Sequence, residues 1–260
     1  MVTDKKELLL KGTIEIQGLI PESSNGAIKA VIKNQEDEIS VIIKPTALIR
    51  PLWDFPELDL NNRELATYEM SKSLNLNFVP TCIKRNIPEI GECLVQEWIE
   101  EEVNQLIVVR SESDIPNHYK KVINGYDELN KLVCLAHDDS KELKRIAIFD
   151  LIINNADRKG SHILQDKDKK IWIIDHGVTW HQENKLRTIL WGWIGESLES
   201  SDKELLEQAR IELKKWIDDQ SILLTKQELE AAIKRIDVVL ELGKFPEPSK
   251  DWPAIPWPIF

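Results

Sequence analysis

The sequence predicts an α+β chain of two lobes, a small β-rich lobe over residues 1–100 and a larger helical lobe over residues 101–260. Three observations predict it. Short apolar runs broken by Gly, Pro, Ser and Asn fill the first hundred residues, and helical periodicity takes over after the acidic run Glu100, Glu101, Glu102. A chain of 260 residues can also bury roughly three quarters of its unfolded surface, enough for two cores.

Taken in order, Leu8 to Lys44 reads as strand, turn, strand, turn, strand. Thr13 to Ile16 alternates, the loop Gly18 to Gly26 carries Pro21, Ser23, Ser24 and Asn25, Ala27 to Ile32 is a second run, and Ile39 to Ile43 is a third that Pro45 stops. A Pro-rich connection leads to Asn61 and Asn62, which read as N-caps of a helix over Arg63 to Leu74. Cys82 to Lys84 and Cys93 to Trp98 are two further strands around a turn at Asn86 to Gly91. Beyond the acidic run, helices are expected over Tyr126 to Ala136, Leu143 to Asn154, Lys203 to Trp216 and Lys226 to Leu242. A hairpin of Ile163 to Gln165 and Ile171 to Ile174 interrupts them. Two lobes in this order predict a cleft, where small ligands usually bind.

Composition narrows the function. With 42% apolar and 30% charged residues the chain reads as an ordinary globular protein, and a formal net charge of -11 argues against nonspecific binding to nucleic acid or anionic lipid. No signal peptide is legible at the start of the sequence. The most apolar stretch, Ile146 to Ile153, is far shorter than the ~20 residues of a membrane helix, so no integral membrane association is expected. Cys82, Cys93 and Cys134 are widely spaced with no CxxC pair, which favours reduced thiols and a cytoplasmic setting.

The segment NNADRKGSHILQDKDKKIWIIDHG, residues 154–177, carries the chemistry. Asp157, Lys159 two residues on and His162 five residues on precede Asp175, which ends an apolar strand in an Asp-His-Gly turn. Kinase catalytic loops use that order: an Asp orients the attacking hydroxyl, a Lys offsets phosphate charge, a fifth-position ligand binds metal and a second Asp before Gly holds metal on the nucleotide. Either aspartate alone would more often be a solvated turn or a helix cap; together they favour catalysis. Lys44, at the end of the third strand, is placed to grip nucleotide phosphates, with Glu64 as its first candidate partner and Glu69 as its second. Ser23, Ser24 and Asn25 are candidate phosphate contacts, although hairpin loops commonly contain such residues. His162 is a departure, because hard Mg²⁺ prefers oxygen ligands; it reads first as a metal ligand, and otherwise as a polar contact to phosphate or a histidine satisfied within the hairpin. It keeps open a zinc hydrolase built from His162, Asp175 and His176 or His181, despite the lack of an HExxH pair. Asn154 and Asn155 end a helix, with an orienting bond to the catalytic loop as the sharper reading. Asp150, amid Ile146, Phe149, Leu151 and Ile153, needs a partner if buried. Lys185 and Arg187 are either contacts to an anionic substrate or a solvated basic loop.

The chain resembles the phosphatidylinositol 3/4-kinase-like superfamily, especially small bacterial members, and more distantly HipA-type kinases. The resemblance rests on FDLIINNADRKGSH, then IIDHG, then KLRTILWGWIGE, with weaker similarity through IIKP, PLWDFP and NREL. It implies a bilobal protein-kinase-like fold with ATP and Mg²⁺ or Mn²⁺ as cofactors and Asp157 in catalysis. Lys44 would bind ATP, Asp175 the metal, and the segment Gln96 to Ile99, including Glu97, would hinge over adenine. This sequence departs from the pattern at His162, where Asn is usual, at Lys159, where many members have His, and at His176 in place of Phe. The expected activity is an ATP- and metal-dependent phosphotransferase acting on a protein or small-molecule hydroxyl. A nucleotide-binding pseudokinase that serves as a scaffold is the alternative.

Overall fold

The structure is a computed structural model that describes residues 4–21, 23, 25–50, 52–55, 60–103, 105–219 and 221–260. It is a mixed α+β protein whose sheets are antiparallel, and the chain divides into two compact units. The first comprises Met1–Glu101 with Trp172–Val178, and the second Glu102–Ile171 with Thr179–Phe260.

In the first unit, α1 (Lys5–Lys11) precedes β1 (Thr13–Leu19), β2 (Ile28–Lys33), β3 (Glu38–Pro45), α2 (Leu60–Ser73), β4 (Cys82–Ile87) and β5 (Gly91–Glu97). The strands form one sheet in the order β1-β2-β3-β5-β4. Registers such as Ala30↔Val41 and Ile43↔Val95 put branched and small apolar residues opposite one another. Ala30, Ile32, Val41, Ile43, Ile83 and Val95 gather into one core with Leu8 and Leu9. Those two leucines correct the expectation that the extended pattern begins at Leu8. They belong to α1, which starts where the Asp4 carboxylate accepts the Lys6 N–H. Seven residues are too few to reveal a helical period against a strand one.

α2 also begins earlier than expected, so Asn61 and Asn62 are helical residues and not caps. Asn61 is buried, and its amide donates to the Lys44 carbonyl at 3.1 Å and to Thr46 Oγ1 at 3.0 Å, which ties α2 to the end of β3.

The second unit holds β6 (Ile107–Arg110), β7 (Tyr119–Tyr126), β8 (Leu132–Asp138), α3 (Lys141–Ile153), β9 (Ile163–Gln165), α4 (Ser200–Trp216) and α5 (Lys226–Leu242), and β10 is Ile171–Ile173. β9 and β10 make a two-stranded sheet. The β7–β8 turn and strand β8, part of a three-stranded sheet in the order β6-β8-β7, stand where a helix over Tyr126 to Ala136 was expected. The physical reason lies in the turn. The Asp127 carboxylate accepts the N–H groups of Leu129 and Lys131, and Asn130 adopts a left-handed conformation at φ 58°, so the chain reverses where a helix would continue. Three helices pack together in the second unit, α3 against α4 and α5, and α4 against α5. Reciprocal capping boxes start α4 (Glu199 with Asp202) and α5 (Thr225 with Glu228). Among the described residues no helix is long and apolar enough to cross a membrane.

Candidate active site

The first unit assembles Lys44, Glu64 and Asp175. Lys44 ends β3 and forms an ion pair with Glu64, one turn into α2; their side chains are 19% and 4% exposed. Glu69, the second candidate, pairs with Lys6 at 3.1 Å instead. Burial disfavours the Lys44 ammonium, yet the charges of Glu64 and Asp175 outweigh it and hold its pKa above the ordinary range. Burial also pushes the Glu64 carboxyl up, and Asp175 adds to that against the pull of Lys44. Asp175 is exposed in a left-handed conformation at φ 60°. The turn that carries it runs close to α2: a Cβ at Gly177 would lie 3.2 Å from Leu60 Cβ and 3.9 Å from Glu64 Oε1, so glycine fits there and a larger residue crowds the pair. One carboxylate oxygen of Glu64, Oε2, is buried with no hydrogen-bond partner among the described residues.

At the end of β5, the Glu97 N–H donates to the Thr81 carbonyl at 2.8 Å and the Trp98 N–H to the Ser40 carbonyl at 2.9 Å. Glu97 Oε1 meets Lys5 at 2.5 Å, and Ile99 follows, partly exposed, outside any strand. Gln96 Nε2, Glu97 Oε2 and Trp98 Nε1 are buried without a partner among the described residues. In the loop between β1 and β2, Ser23 Oγ accepts the Ala27 N–H at 2.9 Å and Asn25 Oδ1 accepts the Arg50 N–H at 3.2 Å. Ser23 thus braces the loop itself and Asn25 ties it to Arg50, while Ser24 lies outside the described residues.

The second unit builds the Asp157 loop. Asn154 closes α3 in a left-handed conformation at φ 53°, and its amide donates to the carbonyls of His181 at 2.8 Å and Glu183 at 2.6 Å while its oxygen accepts the Lys185 N–H at 3.0 Å. Asn155 Oδ1 accepts the Asp157 N–H at 2.9 Å, and its amide donates to Asp150 Oδ1 at 3.1 Å. Arg158 then turns inward. Its Nε and Nη2 grip Asp150 at 3.0 and 2.9 Å, and both side chains are fully buried. This supplies the partner that Asp150 required. Backbone bonds from Arg187 N–H to the Asn155 carbonyl (2.9 Å) and from Arg158 N–H to the Arg187 carbonyl (3.0 Å) zip the loop to the segment after Val178.

Asp157 is left at the surface of that brace. Lys159 Nζ lies 3.2 Å from Asp157 Oδ2, and Arg187 Nη2 lies 3.2 Å from Oδ1. His162 is 8% exposed in a short 3₁₀ turn, Gly160–His162, and its N–H donates to the Lys159 carbonyl at 3.2 Å. The C-terminal segment lies over this loop. Gly160 donates to the Ile259 carbonyl at 2.8 Å, and a Cβ at Gly160 would come 2.3 Å from the Phe260 ring. Among the described residues no group of three or more His, Cys, Asp and Glu side chains is arranged to hold a metal.

Comparison with known proteins follows from the sequence more than from shape. Protein Rv2133c of Mycobacterium tuberculosis is 33% identical over 273 residues, spanning 99% of this chain and 96% of that protein. The chain belongs to the family of Protein Rv2133c. No family model matches it. The crystal structure of the Helicobacter pylori proinflammatory kinase CtkA is similar over 88% of this chain and 92% of that one, at 11% identity and a TM-score of 0.47, a level that does not establish a shared fold.

In this member of the Rv2133c family, two features of the Asp157 loop escaped the sequence reading. The contact of Arg187 with Asp157 spans thirty residues, and no local pattern announces it. Lys185 is not a solvated loop residue: its side chain is 6% exposed and its Nζ lies 4.3 Å from the centre of the Trp252 ring. The signal available was the concentration of tryptophans near the end of the chain, which offers ring faces to cations.

Proposed function

We propose that this protein is an ATP- and divalent-metal-dependent phosphotransferase of kinase-like, phosphatidylinositol 3/4-kinase-related type, acting in the cytoplasm on a protein or small-molecule hydroxyl. The observation that carries the reading is the buried Lys44–Glu64 pair between the end of a sheet strand and the following helix, with Asp175 in its field. Kinases use such a pair to hold the nucleotide's α- and β-phosphates. The run NADRKGSH and the turn IIDHG support the same assignment from the sequence.

The residues fit a nucleotide and its metal. Buried donors and acceptors without partners among the described residues (Gln96 Nε2, Glu97 Oε2, Trp98 Nε1) suit a purine bound along the Glu97 to Ile99 segment, and Glu64 Oε2 marks an incompletely satisfied carboxylate beside Lys44. ATP supplies the phosphoryl group, and Mg²⁺ or Mn²⁺ neutralises charge on it. Asp175 and His162 would hold the metal; two protein ligands suffice where phosphates and water complete the shell. Ser23, Ser24 and Asn25 would offer backbone N–H groups to the phosphates. Asp157 would orient the acceptor hydroxyl and take its proton, and Lys159 would offset charge on the transferred group. Arg187 fixes the Asp157 carboxylate from the opposite side to Lys159.

A second reading is favoured by that same clamp. With both oxygens of Asp157 engaged by cations, a protein that binds nucleotide without turnover and acts as a scaffold is the competing case. Incubation with ATP and Mn²⁺ or Mg²⁺ followed by intact-mass analysis separates the two, since a phosphate adduct, an AMP adduct and no adduct differ in mass. Calorimetry with ATP and the same metals should give binding that Lys44→Met weakens at least about tenfold. No binding by the wild type would end both readings.

A further inference from the structure

The segment that starts at Trp252 carries Pro253, Pro256 and Pro258. Prolines have no N–H to give to a strand or a helix, so such a segment is held through its carbonyls and its rings. The Ala254 carbonyl accepts the Thr188 N–H at 3.0 Å and the Trp191 Nε1–H at 2.8 Å, and the Ile259 carbonyl accepts the Gly160 N–H at 2.8 Å. Thr188 follows Arg187 and Gly160 follows Lys159. The segment is therefore pinned beside both cations that flank Asp157.

Of those two cations, Arg187 needs the more holding. Its side chain is 27% exposed, and it meets Asp157 through one bond of 3.2 Å where a fork of two parallel bonds would be stronger. A partly exposed pair of this kind gains little and must order a long side chain, so alone it does not keep a guanidinium in place. Two further contacts act on it. Arg187 Nε donates to the Ala156 carbonyl at 2.6 Å, and the guanidinium carbon lies 5.8 Å from the centre of the Trp252 ring. Lys185 Nζ lies 4.3 Å from the centre of the same ring. Ring faces attract cations within roughly 6 Å, and indole does so best. Trp252 is itself only partly buried, so its ring is not there merely to fill a core.

We propose that Trp252 is a positioning residue: its ring holds Arg187 on Asp157 Oδ1 and so sets the orientation in which that carboxylate meets the acceptor hydroxyl. The effect on the reaction rests on the phosphotransferase reading, whereas the hold on Arg187 does not. A carboxylate has about four lone-pair sites. Contacts from Arg187 and Lys159 thus leave room for a hydroxyl and fix the plane in which it is received.

The test uses the full chain in two arms. The first needs no nucleotide: the Arg187 Nε–H is followed by ¹⁵N NMR, its signal identified by its loss in Arg187→Met. Bonded to the Ala156 carbonyl, it should exchange slowly with water in the wild type and at least about tenfold faster in both Trp252→Leu and Trp252→Gln. Trp252→Phe keeps an aromatic face and should fall between, which gives an answer even if the other two variants do not fold. The Thr188 and Gly160 amides should keep their protection throughout. The second arm follows ATP turnover with Mn²⁺ or Mg²⁺. In Trp252→Leu, kcat should fall about tenfold with the KM for ATP within about threefold of wild type. Adding Trp252→Leu to Arg187→Met should lose nothing more, because the ring acts through the arginine.

Fast exchange of the Arg187 Nε–H already in the wild type, or exchange unchanged in all three Trp252 variants, overturns the proposal. Equal loss of protection at Thr188 and Gly160 does the same, since it marks a segment that has come away whole, and so do losses that add in the double variant. A wild type without turnover ends the phosphotransferase reading, and exchange at Arg187 still decides whether Trp252 holds it.

Discussion

Two buried ion pairs in this molecule carry the same charges and do opposite things. Arg158 and Asp150 are fully enclosed, joined through two parallel bonds, and Asn155 adds a further donor to the carboxylate. Lys44 and Glu64 keep a partly exposed ammonium, a carboxylate oxygen without a partner among the described residues, and an exposed Asp175 whose charge acts on both. The first pair is chemically complete and can only hold the Asp157 loop in shape. The second is incomplete, and an incomplete buried pair is where a ligand finds energy to gain.

The largest effect should come from breaking the complete pair. Arg158→Met leaves the Asp150 carboxylate dry and uncompensated and should cost about 3–5 kcal/mol in urea unfolding; a loss below about 1 kcal/mol, the scale of a surface pair, would remove the bracing role. Next comes a buried polar group that is complete without charge. His137 is fully buried, its Nδ1 is 3.0 Å from the Asp138 carbonyl, and its Nε2 accepts the Gly192 N–H at 3.1 Å, so both ring nitrogens are used by the neutral form. Burial pulls its pKa from 6.5 to about 4. A depressed folded-state value means the contribution is whole above pH 6.5 and lost as pH falls toward about 4. Unfolding free energy should drop across that window by something on the order of 3 kcal/mol, and His137→Gln should flatten this part of the profile. The smallest effect on stability belongs to the incomplete pair: Glu64→Gln should change it by less than about 1 kcal/mol while weakening ATP binding about tenfold. If Glu64→Gln destabilises as much as Arg158→Met, the contrast between the pairs is lost.

What the sequence revealed tracks how local each interaction is. The strands of the first unit were legible because alternation and Gly, Pro and Asn turns are short-range signals, and β3 ended where Pro45 said it would. The Asp157 and Asp175 segments stand out by residue order alone as candidates, and Asp150, standing among isoleucines, announced its need for a partner that Arg158 supplies. The three-stranded sheet of the second unit was missed because Asp127 and Asn130, a turn pair, sit inside a run whose apolar spacing also suits a helix. The contact of Arg187 with Asp157 and the buried setting of Arg235 were missed for another reason. Each arginine acts on atoms far away in sequence, and a lone arginine in a loop or on an amphipathic helix carries no mark of what it faces.

The central claim is that Asp157 performs chemistry on a nucleotide held through Lys44. Its most direct test is phosphate release from ATP with Mn²⁺ or Mg²⁺, compared between wild type and Asp157→Asn at matched nucleotide occupancy by calorimetry. Turnover should fall by about 10²–10⁴ in the variant with ATP binding retained. Equal turnover in the two proteins would contradict the account.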